Sequence, residues 1–209
     1  MLLVKRIIQL SKFRQFYLDM EDLLRLNKDR SVTVRGHTFQ VYLDQHSIQE
    51  RVAVLGRQIS TDYEGKKPIL IGVLNGAFMF LADLMRSVTI ECEVDFLKLS
   101  SYGADKISSG VVQELKKIDA AIEGRHVIVV EDIVDTGLSM QFILNIMKEY
   151  EPASLCAATL LHKTEATRVE VPLDYVGFAI KNLFVIGYGL DYGQLGRNLP
   201  DIYVIDEEK

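Results

Sequence analysis

Apolar residues are distributed along this chain in two alternating rhythms, short continuous runs and longer stretches spaced three and four apart. The runs are Pro68-Ile-Leu-Ile-Gly-Val-Leu74, Val94–Leu99, Val127–Val130 and Leu155–Leu161, each read as a strand buried on both faces. Between them lie amphipathic stretches. Ser47-Ile-Gln-Glu50 has the spacing of a capping box and leads into an apolar face of Ile48, Val52, Leu55 and Ile59. A second helix is predicted over Ala77–Met85. A third carries Phe142, Ile143, Ile146, Met147 and Tyr150 and stops at Pro152. Upstream, Val32-Thr-Val and Phe39-Gln-Val-Tyr-Leu flank Arg35-Gly36-His37 as a hairpin. Ser100–Gly110 has no periodicity and reads as a polar loop, with Val111–Leu115 pairing back on the strand before it. Phe178–Gly187 closes the pattern as one further segment. Strands alternating with helices predict an α/β fold with a mostly parallel sheet. Ligands in such sheets sit beyond the carboxyl ends of the strands.

At 209 residues the length suits one domain, and no apolar run is long enough to span a bilayer. Residues 1–19 fit the pattern least. They hold Lys5, Arg6, Lys12 and Arg14 with no acid before Asp19, and are read as an N-terminal extension outside a domain at 20–209. A secretory signal does not fit them; a serine-poor transit peptide is the alternative. The net charge of −5 argues against a nucleic-acid surface. Cys92 and Cys156 lie in apolar strand-like segments without metal-ligand spacing and read as reduced core thiols. His37, His46 and His126 have no partner pattern.

The densest chemistry follows the run Val127–Val130, in the order Glu131-Asp132-Ile-Val-Asp135-Thr136-Gly137-Leu138-Ser139. A strand, a short polar loop and a helix in this order offer backbone N–H groups, two hydroxyls and a helix N-terminus to a phosphate. The acidic pair is predicted where the strand ends, placed to hold sugar hydroxyls or a hard cation. This stretch resembles the phosphoribosyl-pyrophosphate (PRPP) motif of the type I phosphoribosyltransferases. Four further stretches resemble the hypoxanthine-guanine branch of that family in order: Leu74-Asn75-Gly76, Leu99-Ser-Ser-Tyr-Gly103, Leu161-His-Lys163 and Leu183-Phe-Val-Ile-Gly-Tyr-Gly-Leu-Asp191.

The resemblance implies a parallel sheet flanked by helices, with a small hood over its carboxyl edge made by the first hairpin and the tail. It implies magnesium-dependent transfer of 5-phosphoribosyl from PRPP to N9 of hypoxanthine or guanine, releasing pyrophosphate. PRPP would be held by Glu131, Asp132, Asp135, Thr136, Gly137, Leu138 and Ser139. Leu74, Asn75, Gly76 and Arg197 would face pyrophosphate; purine salvage members often carry lysine where Asn75 stands, which leaves backbone groups to do the work. Lys163, Phe184, Val185 and Asp191 would surround the purine. Lysine has donors only, which suits the 6-carbonyl and not the 6-amino group of adenine. Asp135 would exchange a proton with N7, and Ser101 and Tyr102 would close over the reacting sugar. Glu131, Asp132 and Asp191 are the implied metal ligands. A cytoplasmic homodimer or homotetramer, with no membrane or nucleic-acid partner, completes the expectation. The rival readings are a xanthine-preferring or pyrimidine relative, and a PRPP-sensing regulator, which would need a basic face or a helix-turn-helix.

Overall fold

The computed structural model describes residues 30–100, 113–116 and 118–206. Two strands, β1 (Ser31–Val34) and β2 (His37–Leu43), form the predicted hairpin. Arg35 and Gly36 both adopt positive φ (52° and 81°), the conformation of a two-residue turn that matches strand twist. Helix α1 (Gln45–Asp62) begins earlier than the Ser47–Glu50 pattern predicts. Its N-cap is Asp44, whose carboxylate accepts from the Ser47 N–H at 2.8 Å, so Ser47 is a donor in the first turn and not the cap. There follow β3 (Ile69–Leu74), α2 (Phe78–Ser87), β4 (Glu93–Ser100), β5 (Gln113–Lys116), β6 (His126–Val134), α3 (Leu138–Glu149) and β7 (Ser154–Lys163). The chain ends in β8 (Tyr175–Ile180), β9 (Val185–Ile186) and β10 (Ile202–Ile205).

Six strands form the main sheet in the order β5-β4-β3-β6-β7-β8, parallel except for β5, which returns antiparallel on β4 as predicted. The continuous apolar runs are explained by helices on both faces. Leu70, Ile128 and Val130 point to the layer of Ile48, Leu55, Phe80 and Leu84 from α1 and α2. Their neighbours Ile69, Ile71, Val127 and Val129 point to Ile143, Leu144 and Met147 of α3. Each such fully buried side chain contributes about 1.5–3 kcal/mol of transfer free energy. None of the described helices is long and apolar enough to cross a membrane.

The stretch Phe178–Gly187, expected as one segment, is divided. Tyr175–Ile180 ends the main sheet, while Val185–Ile186 joins a second, antiparallel sheet in the order β1-β2-β10-β9. This is the expected hood, with its own small core of Phe39, Val41, Ile186 and Tyr203. It is tied to the main body by Asp201, whose buried carboxylate accepts from the Gln45 N–H (2.7 Å), Arg30 (2.5 Å) and the Tyr203 hydroxyl (3.0 Å). Tyr188 adds a hydrogen bond to Asp83 of α2 at 2.6 Å. Cys156 is buried in β7, whereas Cys92 is half-buried and lies just before β4, outside any strand; both thiols are free.

Candidate active site

Parallel register brings the ends of β3, β6 and β7 to one edge. Ile71 pairs with Val129 and Val134 pairs with His162, so Asn75-Gly76, the loop after β6 and Lys163 open on the same side. The acids Glu131 and Asp132 were expected where the strand ends, but β6 continues through them to Val134, because Glu131, Ile133 and Val134 still pair with β7. The polar loop is therefore short, Asp135 to Gly137. Gly137 takes a left-handed conformation (φ 84°), and a Cβ there would collide with the Val169 carbonyl, so glycine is required on both counts.

The N-cap of α3 is Gly137, which brings no side chain, and Thr136 Oγ1 reaches the Leu138 N–H at only 3.5 Å. Its N-terminus opens on a cavity of about 80 Å³ lined by Glu131, Ile133, Val134, Asp135, Thr136, Gly137, Ser139 and Met140. Weakly capped N–H groups, the helix dipole and the nearby hydroxyls of Thr136 and Ser139 make this an anion seat.

The acidic pair beside it is short of a partner at one oxygen. Glu131 is partly buried, and its shielded Oε2 has no hydrogen-bond partner among the described residues. Burial, reinforced by the neighbouring Asp132 charge, holds its pKa well above the usual carboxylate range. Asp132 accepts from the Ile133 N–H at 2.9 Å. Burial pushes it up to about 6, against the pull of backbone donors and of Arg197. Asp132 lies directly on Gly76, where any Cβ would overlap its carboxylate, so the loop after β3 and the acids of β6 meet at glycine. The Leu74–Asn75 peptide is cis.

Across the crevice, Asp191 and Arg197 form an ion pair at 2.6 Å, and Arg197 also donates to the Gly189 carbonyl at 2.8 Å. Asp191 accepts in addition from the Gln194 N–H at 2.7 Å. Its carboxylate thus holds a turn as well as facing the acids. Among the described residues no group of three or more histidine, cysteine or acidic side chains forms a ready metal cage.

On the other flank, Lys163 donates to Asp135 Oδ2 at 3.0 Å, with the lysine largely covered and the carboxylate half-exposed. Phe184 belongs to the hood and is 45% exposed, which excludes a core role. Tyr192 stands edge-on to it at 5.4 Å, and Arg35 lies over Tyr192 at 5.4 Å. Val185 is buried in β9. The candidates Ser101 and Tyr102 lie outside the described residues. Composition gave no sign of two supports: the Arg168 and Val169 N–H groups both donate to the Thr136 carbonyl (3.0 and 3.1 Å), and Tyr192 walls Phe184. Backbone donors carry no residue-type signal; the aromatic beside Asp191 was the only available cue for the second.

Residues 40–193 match the family described as phosphoribosyl transferase domain. A hypoxanthine-guanine phosphoribosyltransferase of Dictyostelium discoideum is 42% identical over 173 residues, covering 81% of this chain and 96% of the relative. The bifunctional protein TilS/HprT of Listeria monocytogenes is 42% identical over 169 residues, and there the chain spans 26% of the relative's length. Among solved structures, a Bacillus anthracis hypoxanthine-guanine phosphoribosyltransferase superposes with a TM-score of 0.76 at 40% identity, covering 79% of this chain and 98% of that one.

Proposed function

The chain belongs to the phosphoribosyltransferase family, and on that premise we propose that it transfers 5-phosphoribosyl from PRPP to N9 of a 6-oxopurine, hypoxanthine or guanine. The products would be the nucleoside 5′-monophosphate and pyrophosphate. The observation that carries this reading is the Lys163–Asp135 pair at 3.0 Å, set beside the anion seat at the α3 N-terminus. O6 and N7 are neighbours on one edge of such a purine. An ammonium with three donors can keep Asp135 and still donate to O6, while the carboxylate accepts from N7 and exchanges its proton.

The rest of the site follows from charge. The 5-phosphate occupies the N–H groups of Leu138 and Ser139 with the hydroxyls of Thr136 and Ser139. Ribose hydroxyls donate to Glu131 and Asp132, which supplies the partner that Glu131 Oε2 lacks. The orphaned oxygen and two raised carboxylates fit a divalent cation held by one or two acids and completed by substrate oxygens, the usual arrangement for magnesium. Glu131, Asp132 and Asp191 are the acids from which its one or two ligands would come, and it would neutralise charge on the leaving pyrophosphate. Arg197 and the backbone of Asn75-Gly76 face that group, Phe184 stacks on the base, and Val185 offers backbone groups to its edge. Ser101 and Tyr102 would exclude water from the oxocarbenium-like sugar. A homodimer or homotetramer in the cytoplasm completes the reading, and the free Cys92 and Cys156 suit a reducing compartment.

Pyrophosphate release with hypoxanthine, guanine, xanthine and adenine, each with PRPP and magnesium, tests this. Both 6-oxopurines should turn over, xanthine poorly, and adenine should be worse by about 10⁴ or more, because its amino group would face a buried donor. Efficient adenine turnover sinks the assignment. Asp135→Asn should cut kcat by about 10²–10⁴ with little change in PRPP affinity; the reverse pattern would make Asp135 part of the loop's architecture only.

A further inference from the structure

The residues after β7 turn back on the site in a way the transferase reading does not use. The Lys163 carbonyl accepts from the Ala166 N–H and from the Thr167 hydroxyl, both at 3.1 Å. Thr167 Oγ1 also lies 3.1 Å from His162 Nε2. A hydroxyl has one proton, and here it goes to the Lys163 carbonyl. Nε2 must therefore carry the proton of the second bond, which fixes the tautomer of the ring. The next two residues donate their N–H groups to the Thr136 carbonyl, and the Val169 carbonyl closes on Gly137. One turn, 163–169, thus fastens the lysine at one end and the phosphate loop at the other.

We infer that Thr167, held by His162 through Nε2–H, is a positioning residue that aims Lys163 and keeps the base-reading and phosphate-binding parts of the site in register. The inference rests on the transferase reading above and adds to it two residues that touch no substrate. His162 and Ala179 pair across β7 and β8, so the imidazole stands on a fixed strand while Thr167 stands on the turn. The bond between them ties the turn to the strand. Without the hydroxyl, the Lys163 carbonyl loses one of its donors and the half-buried imidazole loses its acceptor. Lys163 would then sample orientations that miss O6, which weakens purine capture more than it slows the chemistry once purine is bound.

The test compares Thr167→Val with Thr167→Ser, and His162→Asn with His162→Gln, in the full chain. Valine matches threonine in shape without the hydroxyl, and serine restores the hydroxyl. The glutamine amide reaches the place of Nε2–H, and the asparagine amide does not. Thr167→Val and His162→Asn should raise purine KM by about five- to tenfold, with PRPP KM rising less and kcat within about twofold, the loss of one hydrogen bond. Thr167→Ser and His162→Gln should stay within about twofold of the unmodified protein. Equal behaviour of valine and serine, or a fall in kcat with both KM values unchanged, overturns the inference. Where Thr167→Val does not fold, the asparagine and glutamine pair decides by the same criteria. The unmodified protein, run alongside, separates the two failures. No turnover there refutes the transferase reading, and turnover there with an unaffected Thr167→Val refutes the positioning role alone.

Discussion

Two buried acidic sites lie on either side of β3, and they are built in opposite ways. Asp95 of β4 sits level with Ile71, which in turn sits level with Val129, two residues before Glu131. Its carboxylate accepts from the N–H groups of Phe96 (2.6 Å), Asp119 (2.6 Å) and Ala120 (2.8 Å) and from Lys116 (3.0 Å). Burial alone would raise its pKa, but these donors outweigh burial and hold it at about 2. Asp132 is buried as deeply and Glu131 is partly buried, yet Asp132 is pushed up to about 6 and Glu131 well above the ordinary range. The difference is the supply of donors. Asp95 is completed by its own chain and pins the return from β5 onto the sheet. Among the described residues the pair on β6 is left incomplete at Glu131 Oε2, which hydroxyl donors or a cation would complete.

The comparison is tested most severely by the pair itself. Glu131→Gln with Asp132→Asn should lower kcat/KM by about 10²–10³. Thermal stability should not fall, because two charges disfavoured by burial are removed. A large loss of stability would mean that the pair supports the fold as Asp95 does. Asp95→Ala should do the reverse. It leaves three N–H groups without their acceptor and takes one of its acceptors from Lys116, and should cost about 2–4 kcal/mol in a denaturant titration, with turnover per folded molecule within about twofold. A catalytic defect larger than the folding defect would erase the contrast.

The smallest effect is in pH and has opposite signs at the two sites. Asp95 is depressed in the folded state, so its stabilisation is present above the usual carboxylate pKa and is lost as pH falls from about 4 to about 2. Asp132 is raised, so its contribution is present below about pH 4 and is lost as pH rises to about 6. In ligand-free, metal-free protein, Asp132→Asn should therefore gain on the unmodified protein as pH rises from 4 to 6. Asp95→Asn should fall behind it as pH rises from 2 to 4. Melting temperatures across this range read both differences, and parallel curves for Asp132→Asn would show that Asp132 is not held above its usual range.

Much of the fold was legible because burial on two faces leaves a mark that no half-buried strand leaves. The runs at Ile69–Leu74 and Val127–Val130 could only be central strands, and helices on both sides followed from that. The start of α1 was misplaced because Asp44 and Ser47 are both good cap residues, and only the geometry shows that Asp44 accepts and Ser47 donates. The segment Phe178–Gly187 was read as one because apolarity does not say which sheet a strand joins. Only β10, arriving about twenty residues later in the chain, draws Val185–Ile186 into the hood.

By itself the sequence determined the alternation of strand and helix, the short glycine turn before α3 and the identity of every acid, base and aromatic at the sheet's edge. These depend on local spacing and residue chemistry, which a linear pattern carries in full. Only the tertiary structure decided that Lys163 would meet Asp135, that Asp132 would rest on Gly76, and that Asp95 would find four donors while Glu131 found none for Oε2 among the described residues. Each of those outcomes depends on the position of a group far away in the chain, often a backbone N–H that every residue type but proline shares. Whether a buried carboxylate is structural or reactive is set by its neighbours in space.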